Sequence, residues 1–398
     1  MCRQRVAVTG LGIVSAVGCS PAAVWAAIER EASGLGALSL FPSQRCGHIP
    51  VAEVRGEPAD RSGLRSGSRT DHLAACAARD AFAQAALEAL PEALRRQVGV
   101  VLGTTTGGIL DSEVFLERLL AQGELAPELL RHHPPASPAE AVAGALDLVG
   151  FRATVSTACA SGATAIAVAC DALAAGEADA VLAGGADSLS RLTVNGFGSL
   201  LNVAADGCRP FDAGRTGLSL GEGAAVLALE TEQHARERGA PILAWILGCG
   251  SSCDAYHATA PRPDGSGAAA AMRAALAVAQ LEPQAVDYVN AHGTGTRDND
   301  LAEGLALRAV FGDRVPAVSS TKRFFGHTLA AAGAIEAVVC VLALEHQRVP
   351  ANLGLRQADP EIGIHPVLHT CDAQVGVAVS NSLGFGGSNG SIVLARAS

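Results

Sequence analysis

The sequence predicts an α/β fold built from two similar halves. Apolar runs that end in Gly- and Thr-rich loops alternate with Ala-rich segments of helical pattern along the 398 residues. Hydrophobic residues make up 49% of the chain and aromatic residues only 4%, so we expect a large core of Ala, Val, Leu and Ile. A weak internal repetition adds to these observations, because strands and turns of the first half recur in the second.

The apolar runs have the length and composition of buried strands. The predicted strands, with the loops that follow them, are 5–12, 98–108, 178–187, 224–230, 241–250, 286–296, 315–322 and 375–387, and a last strand lies at SIVLA. The predicted helices are 70–90, 162–175, 267–280 and 328–346. VGVVLGTTTGG resembles VDYVNAHGTGT, and VSTACASG with its helix resembles VSSTKRFFGH with its helix. The repetition places a boundary near the charged segment 231–241.

Charge, cysteine content and hydropathy exclude several classes of protein. The net charge of −10 argues against a general nucleic-acid-binding protein. Eleven cysteines without a CxxC pair predict free thiols in a reducing cytosol and no zinc site. The most apolar helical stretch, 329–344, contains Glu336 and is predicted to be too short to span a membrane. We therefore expect a cytoplasmic protein without membrane spans, and no phosphate-binding GxxxxGK[ST] loop is present.

One cysteine stands out because of its neighbours. Cys159 lies in VSTACASG, between a predicted strand and a helix that starts near Ser161. The N-terminus of a helix stabilises a nearby thiolate, which predicts a lowered pKa for Cys159 and a nucleophilic sulfur. Cysteines in apolar surroundings are more often inert core residues, so the stretch by itself leaves both interpretations open.

Polar residues of the second half favour the catalytic interpretation. His292 follows a predicted strand in NAHGTGT, and His327 precedes a predicted helix in STKRFFGHTLAAAG. Lys322 lies five residues before His327, after a strand that is expected to direct it inward. Each residue alone is equally consistent with a structural role, but with Cys159 in the matching turn they predict one shared site. The Gly-rich loop at 381–391 supplies free backbone amides.

Four segments, TACASG, NAHGTGT, STKRFFGHTLAAAG and NSLGFGGSNG, together resemble the elongating β-ketoacyl-acyl carrier protein synthases. The resemblance runs in order over essentially the whole chain. It implies the thiolase fold, a duplicated α/β unit with a five-layered α-β-α-β-α core, divided into halves 1–240 and 241–398. It also implies condensation of an acyl chain with malonyl-acyl carrier protein, in fatty-acid or type II polyketide elongation, including polyenes. No metal and no cofactor is expected beyond the phosphopantetheine of the carrier.

The resemblance implies a role for each matching residue of the reaction centre. Cys159 matches the nucleophile that takes the acyl chain as a thioester. His292 and His327 match the histidines that promote loss of CO₂ from the malonyl group and stabilise the enolate. Lys322 matches a lysine that orients this site, and Glu303 matches a carboxylate that supports the region of the lysine.

Residues around the substrate are implied in the same way. Phe385 matches a gating aromatic residue whose amide pairs with that of Cys159 in an oxyanion hole. The implied substrate-binding residues are Thr106 at the bottom of the acyl pocket, the wall residue Phe197, Thr294 and Thr296 beside the phosphopantetheine, and Gly386 in the gate. The segment SSCDAYHATAP, at 251–261, resembles a second gating loop.

The chain departs from the family pattern near the entrance of the site. Three bulky residues, Arg323, Phe324 and Phe325, precede the Gly-His pair. We expect them to reshape the entrance of the site or the wall behind Lys322. Leu200 and Leu201 occupy positions where the family often has a basic residue that helps to dock the carrier protein. The residues expected to supply a docking face instead are Arg61, Arg65, Arg69 and Arg209.

Other functions of related chains stay open at this point. A non-catalytic chain-length factor would lack the nucleophile, so Cys159 with both histidines argues against it. A thiolase acting on coenzyme A esters would need a second cysteine, which GFGGSNGS lacks. An initiating synthase would use Cys, His and Asn, and the two histidines with Lys322 disfavour it. The expected partners are acyl carrier protein and a second subunit, either an identical copy or a homologue resembling a chain-length factor.

Overall fold

The computed structural model describes residues 5–56 and 58–397. Ten strands in this part of the chain form one mixed sheet, and two short strands form a separate ribbon. The strands are β1 (Val6–Ser15), β2 (Gly99–Gly103), β3 (Arg152–Val155), β4 (Ala180–Asp187), β5 (Gly223–Thr231), β6 (Ala244–Cys253), β7 (Tyr288–Asn290), β8 (Ala317–Ser319), β9 (Arg348–Val349), β10 (Cys371–Asp372), β11 (Val377–Leu383) and β12 (Ser388–Arg396). The ribbon consists of β9 and β10.

The large sheet consists of two five-stranded halves with the same topology. The first half has the order β3-β2-β4-β5-β1, and the second, counted from the opposite edge, has the order β8-β7-β11-β12-β6. In each half the first two pairings are parallel and the next two are antiparallel. The halves meet where β1 and β6 pair antiparallel, from Val6 opposite Ile246 to Val8 opposite Ala244. The repetition seen in the sequence is thus a repetition of topology.

Thirteen α-helices of the described residues cover and separate these half-sheets. They are α1 (Pro21–Glu29), α2 (Ala59–Ser62), α3 (Arg69–Gln84), α4 (Glu92–Arg95), α5 (Ile109–Gln122), α6 (Ser137–Leu146), α7 (Ser161–Ala175), α8 (Arg191–Ser199), α9 (Glu232–Glu237), α10 (Ser266–Ala279), α11 (Arg297–Phe311), α12 (Lys322–Phe325) and α13 (Ala332–His346). Helices α7 and α13 lie between the half-sheets and contact strands of both. Helix α3 with α6 covers the first half, and α10 with α11 covers the second. This is the five-layered order that the resemblance implies.

The two central helices touch at reciprocal contacts between small residues. A Cβ added at Gly162 would lie 2.6 Å from the carbonyl oxygen of Ala330 and 3.2 Å from the Cβ of Ala334. A Cβ added at Gly333 would lie 2.9 Å from the nitrogen and 3.0 Å from the Cβ of Ala163. These distances leave no room for a side chain, so the two glycines allow the N-terminal ends of α7 and α13 to meet.

Two of the predicted helices differ from the observed ones. The predicted helix 70–90 ends at Gln84, and the left-handed backbone of Ala86 (φ 52°) starts a separate 3₁₀ turn. The predicted helix 328–346 begins as a 3₁₀ turn at Leu329–Ala331 and continues as α13. The division of the chain between 240 and 241 stays a prediction, and the observed passage from β5 to β6 is consistent with it.

The prediction that the apolar stretch 329–344 is too short to span a membrane is wrong, because the helical stretch extends to His346 and reaches the necessary length. The stretch Ala158–Ala175, which is α7 with the turn before it, and the stretch Leu329–His346 each have 18 residues and are long and apolar enough to cross a membrane. Of the residues in these two stretches, 61% and 89% respectively are buried inside the protein. Because both stretches form the central layer of the fold, burial in the core accounts for their apolar character.

Candidate active site

Cys159 lies in the tight turn between β3 and α7, after Ala158 with its left-handed φ of 50°. The cysteine is 5% exposed. Burial raises the pKa of the Cys159 thiol to about 11, and nearby amides and the Lys322 charge offset this only in part. The predicted lowering of this pKa by the helix is wrong, because removing a thiolate from water outweighs the helix N-terminus.

Two backbone N–H groups approach the sulfur of Cys159. They belong to Cys159 itself and to Phe385, and hydrogen bonding from both lowers the pKa of the thiol against the effect of burial. The Gly-rich loop after β11 comes close enough that a Cβ at Gly384 would lie 3.2 Å from the Cys159 nitrogen. The structure thus brings together the two amides that were predicted to form an oxyanion hole.

His292 and His327 lie beside each other with their rings nearly perpendicular. The ring centroids are 5.2 Å apart and the rings are inclined by 84°. Each histidine is 2% exposed. Burial first, and then the Lys322 charge, hold the pKa of each imidazole well below its usual range. Both imidazoles are therefore neutral near pH 7, and each carries one N–H donor.

Lys322 begins α12 and determines which ring nitrogen of His292 carries the proton. Its ammonium donates to the carbonyl oxygen of His292 at 2.7 Å and lies 3.4 Å from Nδ1 of the same residue. Lys322 is 2% exposed, which agrees with the predicted inward direction. Because an ammonium only donates, Nδ1 of His292 is the acceptor and its proton is on Nε2.

Two buried carboxylates support the histidine and the lysine separately. Glu303 accepts hydrogen bonds from the amides of His292 (2.8 Å) and Gly293 (2.7 Å). The carboxylate that forms the ion pair with Lys322 is Glu336, on α13. Burial raises the pKa of each carboxyl to about 7. Glu303 holds the backbone of His292, whose carbonyl oxygen accepts from Lys322, so the predicted support of the lysine region by Glu303 is indirect and stays a prediction.

Glu336 is a site residue that the sequence reasoning missed. The available signal was a single carboxylate in an otherwise apolar helix, from 329 to 344. A charged residue in such a helix is buried only when it is paired. Glu336 is 2% exposed, and its partner Lys322 lies 14 residues earlier in the chain.

A cavity of about 400 Å³ opens beside these groups. The predicted residues in its wall are Cys159, Phe197, His292, Thr294, Thr296, His327 and Phe385. The rings of Phe197 and Phe385 stack with centroids 5.4 Å apart, and the hydroxyls of Thr294 and Thr296 are 2.9 Å apart. Residues from both halves of the fold therefore share one cavity, as the two matching turns predict.

Two predicted substrate-binding residues lie outside the wall that the described residues form. Thr106 is 4% exposed, and its amide and hydroxyl both donate to the Asp187 carboxylate, at 2.9 and 2.8 Å. Gly386 has a φ of 78°, and its amide donates to the carbonyl oxygen of Ala258 at 2.8 Å. Gly386 therefore connects the Gly-rich loop to the second predicted gating loop, 251–261.

The segment 323–325 does not reshape the entrance, which corrects one of the two expectations for it; its role in the wall behind Lys322 stays a prediction. Phe324 and Phe325 are 0% and 2% exposed and belong to the main hydrophobic core. The guanidinium of Arg323 donates to the carbonyl oxygen of Cys208 at 2.7 Å. The short helix α12 directs both rings into the core, so these residues stabilise the turn before His327 from within.

The four arginines predicted to dock a carrier protein differ in exposure. Arg61 and Arg65 are exposed. The side chain of Arg69 is 10% exposed and pairs with Glu222, whereas that of Arg209 is 11% exposed and donates to the carbonyl oxygen of Gly214. Their guanidinium groups bind partners within the fold, so Arg69 and Arg209 do not form the predicted exposed face.

Comparison with known proteins assigns the family. Residues 3–235 match the family model "Beta-ketoacyl synthase, N-terminal domain", and residues 243–356 match "Beta-ketoacyl synthase, C-terminal domain". The chain belongs to the β-ketoacyl synthase family. The resemblance drawn from the four motifs is confirmed, and the chain is a ketosynthase, an acyltransferase of fatty-acid or polyketide elongation.

Similar proteins extend over the full length of this ketosynthase. Nodulation protein E of Rhizobium meliloti (strain 1021) is 38% identical and covers 97% of this chain and 98% of its own. The 3-oxoacyl-[acyl-carrier-protein] synthase 2 of Coxiella burnetii is 36% identical, with 99% of both chains covered. The solved structure "The ishigamide ketosynthase/chain length factor" has a TM-score of 0.95, 34% identity and complete coverage of both chains. The predicted thiolase fold is confirmed.

Proposed function

We propose that this ketosynthase carries an acyl chain on Cys159 and condenses it with malonyl-acyl carrier protein. The observation that carries the proposal is the convergence of one thiol, two neutral imidazoles and two amides on one cavity. A covalent thioester frees the cavity for a second substrate, so the reaction follows ping-pong kinetics.

In the first half-reaction the Cys159 sulfur attacks the thioester carbonyl of the acyl carrier protein. A carbon–sulfur bond forms to Cys159, the bond to the carrier sulfur breaks, and the thiol proton leaves with the carrier thiol. The amides of Cys159 and Phe385 stabilise the tetrahedral oxyanion between these two events. The pKa of about 11 means that the free enzyme stores a thiol, which must lose its proton as the carbonyl is attacked.

In the second half-reaction the malonyl group loses CO₂, and its electron pair forms an enolate of the carrier thioester. The N–H groups of His292 and His327 donate to the enolate oxygen, and Lys322 holds the His292 proton on Nε2. The enolate carbon forms a carbon–carbon bond to the acyl carbonyl held on Cys159, the carbon–sulfur bond to Cys159 breaks, and the released thiolate takes one proton from solvent water. The product is β-ketoacyl-acyl carrier protein.

Partners and compartment belong to the same proposal. The carrier protein delivers both substrates, Thr294 and Thr296 contact the phosphopantetheine, and Phe197 borders the acyl chain. Thr106 and Gly386 act from outside the wall, through their hydrogen bonds to Asp187 and Ala258. A second subunit, identical or resembling a chain-length factor, is supported by the short edge strand β3 and, separately, by the exposed side chains of Leu116 and Leu120 on α5. The free cysteines among the described residues support a cytoplasmic location.

Acylation measured by intact mass spectrometry tests the proposal. Incubation with acyl-acyl carrier protein should add one acyl mass to the enzyme, and Cys159→Ala should remove the addition. Cys371→Ala is the matched control, because Cys371 is exposed on β10 and not in the cavity wall. His292→Ala and His327→Ala should block CO₂ release from malonyl-acyl carrier protein while acyl transfer continues. Acylation at another cysteine would overturn the proposal.

A further inference from the structure

Asp187 is a buried carboxylate at the C-terminal end of β4, with an exposed fraction of 0%. It accepts hydrogen bonds from six groups, five in residues 104–106 and one in Ala330. All six donors are neutral, and three of them are backbone amides, which only donate. A buried charge that is stabilised by neutral donors needs each of them in place. The two half-reactions leave this carboxylate without a role.

Five of the donors belong to the loop that follows β2. The hydroxyl of Thr104 donates to Oδ1 at 2.8 Å, and that of Thr105 donates to Oδ2 at 2.5 Å. The amides of Thr105 and Thr106 lie 3.0 and 2.9 Å from Oδ1, and the Thr106 hydroxyl lies 2.8 Å from it. Asp187 therefore fixes the loop whose last threonine was predicted to lie at the bottom of the acyl pocket.

The sixth donor belongs to the turn that begins with His327. The amide of Ala330 donates to Oδ2 of Asp187 at 2.9 Å. The preceding residue, Leu329, has a left-handed φ of 51°, which a residue with a Cβ keeps only where its surroundings impose it. The start of the turn is held separately, because the His327 amide donates to the carbonyl oxygen of Ser219 at 2.6 Å. Asp187 thus holds the other end of this turn.

The hydrogen bond from Ala330 to Asp187 also joins the two halves of the fold. Strand β4 belongs to the first half-sheet, and Ala330 directly precedes α13 in the second half of the chain. A Cβ added at Gly185 would lie 2.6 Å from the carbonyl oxygen of Ala330, so the two backbones touch at this point. Such a close contact leaves the turn little freedom to shift while the carboxylate is in place.

Asp187 is also close enough to Cys159 to act on its thiol. Burial is the main cause of the raised pKa of Cys159; of the two charges that act on the thiol, Lys322 lowers this pKa and Asp187 raises it. The neighbouring imidazoles of His292 and His327 are neutral near pH 7. The charge of Asp187 can therefore be detected through the acidity of Cys159.

We propose that Asp187 is a positioning residue, which aligns the imidazole of His327 by holding the end of its turn against the loop 104–106. The inference rests on the proposed function and adds a residue to its second half-reaction. Asp187 lies outside the cavity wall that the described residues form, so it acts through the turn. A displacement of about 1 Å lowers a rate by about 10²-fold, so the hydrogen bond from Ala330 controls the release of CO₂.

The variant Asp187→Asn tests the proposal, because it keeps the size of the side chain and removes its charge and one acceptor oxygen. The rate of CO₂ release from malonyl-acyl carrier protein should fall about 100-fold, while the KM for this substrate and acyl transfer to Cys159 stay unchanged. Asp71→Asn is the matched control. Asp71 is also 0% exposed, and its donors Ser68 and Ser137 lie outside the cavity wall. Its CO₂ release per folded enzyme should equal that of the parent.

The pH profile of alkylation gives a readout that a purely structural role would not move. Loss of the Asp187 charge should lower the pKa of Cys159, so the alkylation rate with iodoacetamide should rise at each pH below 10. Asp71→Asn should keep the profile of the parent. Cys340, 0% exposed on α13, stays unmodified only in folded protein, so peptide mapping of the same sample excludes unfolding as the cause.

A milder pair of variants covers the case in which Asp187→Asn does not fold. Thr105 is half-buried, and its hydroxyl donates to the same carboxylate oxygen that accepts from Ala330. Thr105→Val removes this donor and should lower CO₂ release about tenfold, whereas Thr105→Ser keeps the donor and should match the parent.

Three results would overturn the role of Asp187. They are unchanged CO₂ release in folded Asp187→Asn or Thr105→Val, equal losses of CO₂ release and acyl transfer, and an unchanged alkylation profile in Asp187→Asn. Failure of the proposed condensation has a different signature, because the parent enzyme itself would then release no CO₂ and Cys159 would stay unacylated. The alkylation profiles need no substrate and can be compared in either case.

Discussion

Replacing Glu336 by glutamine should strongly destabilise the protein and weaken its decarboxylation step. The side chains of Lys322 and Glu336 are 2% and 3% exposed, so Glu336→Gln leaves a buried ammonium without its counter-ion. Loss of one partner from a buried ion pair costs about 3–5 kcal/mol in the free energy of unfolding. Lys322 also holds His292, and the loss of one oriented donor lowers a rate by about 10²–10³-fold.

A double variant separates stability from orientation. Lys322→Met with Glu336→Leu replaces the ion pair by apolar groups of similar volume, which is neutral or stabilising by about 1–4 kcal/mol relative to the parent. Its stability should therefore return, whereas CO₂ release should stay low because no cation orients His292. The assays are urea unfolding for the free energy, and the rate of CO₂ release from malonyl-acyl carrier protein.

The reasoning makes two claims that can fail independently. A loss of less than about 1 kcal/mol in Glu336→Gln would mean that the ion pair is solvated and contributes as little as a surface pair. Full CO₂ release by the double variant would mean that His292 keeps its orientation without Lys322. Acyl transfer to Cys159 in the same samples shows that the cavity is intact.

Three further predictions concern packing, acidity and backbone support. Gly333→Ala should lower the free energy of unfolding by about 1–3 kcal/mol, because the added methyl group overpacks the contact with α7. Gly144→Ala, with open space around it, should raise the free energy of unfolding by about 0.5–1 kcal/mol. Equal effects of the two variants in urea unfolding would contradict the close contact between the helices. The rate of alkylation of Cys159 by iodoacetamide should rise about tenfold per pH unit up to pH 10, because the thiolate fraction grows with pH below a pKa of about 11. Peptide mapping measures this rate, and a plateau below pH 8 would contradict the raised pKa. Glu303→Gln keeps only one acceptor oxygen for two amides and should lower stability by about 1–3 kcal/mol and slow CO₂ release; an unchanged CO₂ rate would mean that the loop holds His292 unaided.

Sequence patterns predicted those site residues whose position follows from a single strand end or helix start. The apolar runs marked buried strands because both faces of a central sheet are covered, and Cys159, His292 and His327 follow strands or precede helices whose ends converge. The order of the strands and the pairing of β1 with β6 were not predicted, because pairing partners are far apart in the chain.

Properties that depend on burial were the ones missed or mistaken. The pKa of Cys159 was assigned from the adjacent helix, but desolvation by the whole fold decides its direction. Arg69 was expected at the surface, yet the buried carboxylate of Glu222, more than 150 residues later, draws it inward. Glu336 was noted only as a break in an apolar helix, because its pairing with Lys322 requires the turn between α12 and α13.

The short seam between β1 and β6 has a consequence for how such a chain could arise. Among the described residues, the half-sheets share the pairings from Val6–Ile246 to Val8–Ala244, and most of their mutual contact runs through α7 and α13. Either half alone would expose one of these apolar helices to water, so a single ancestral unit would have been stable only as a pair of subunits. Two copies joined in one polypeptide would be free to differ, and the sulfur now lies in one half and the imidazoles in the other.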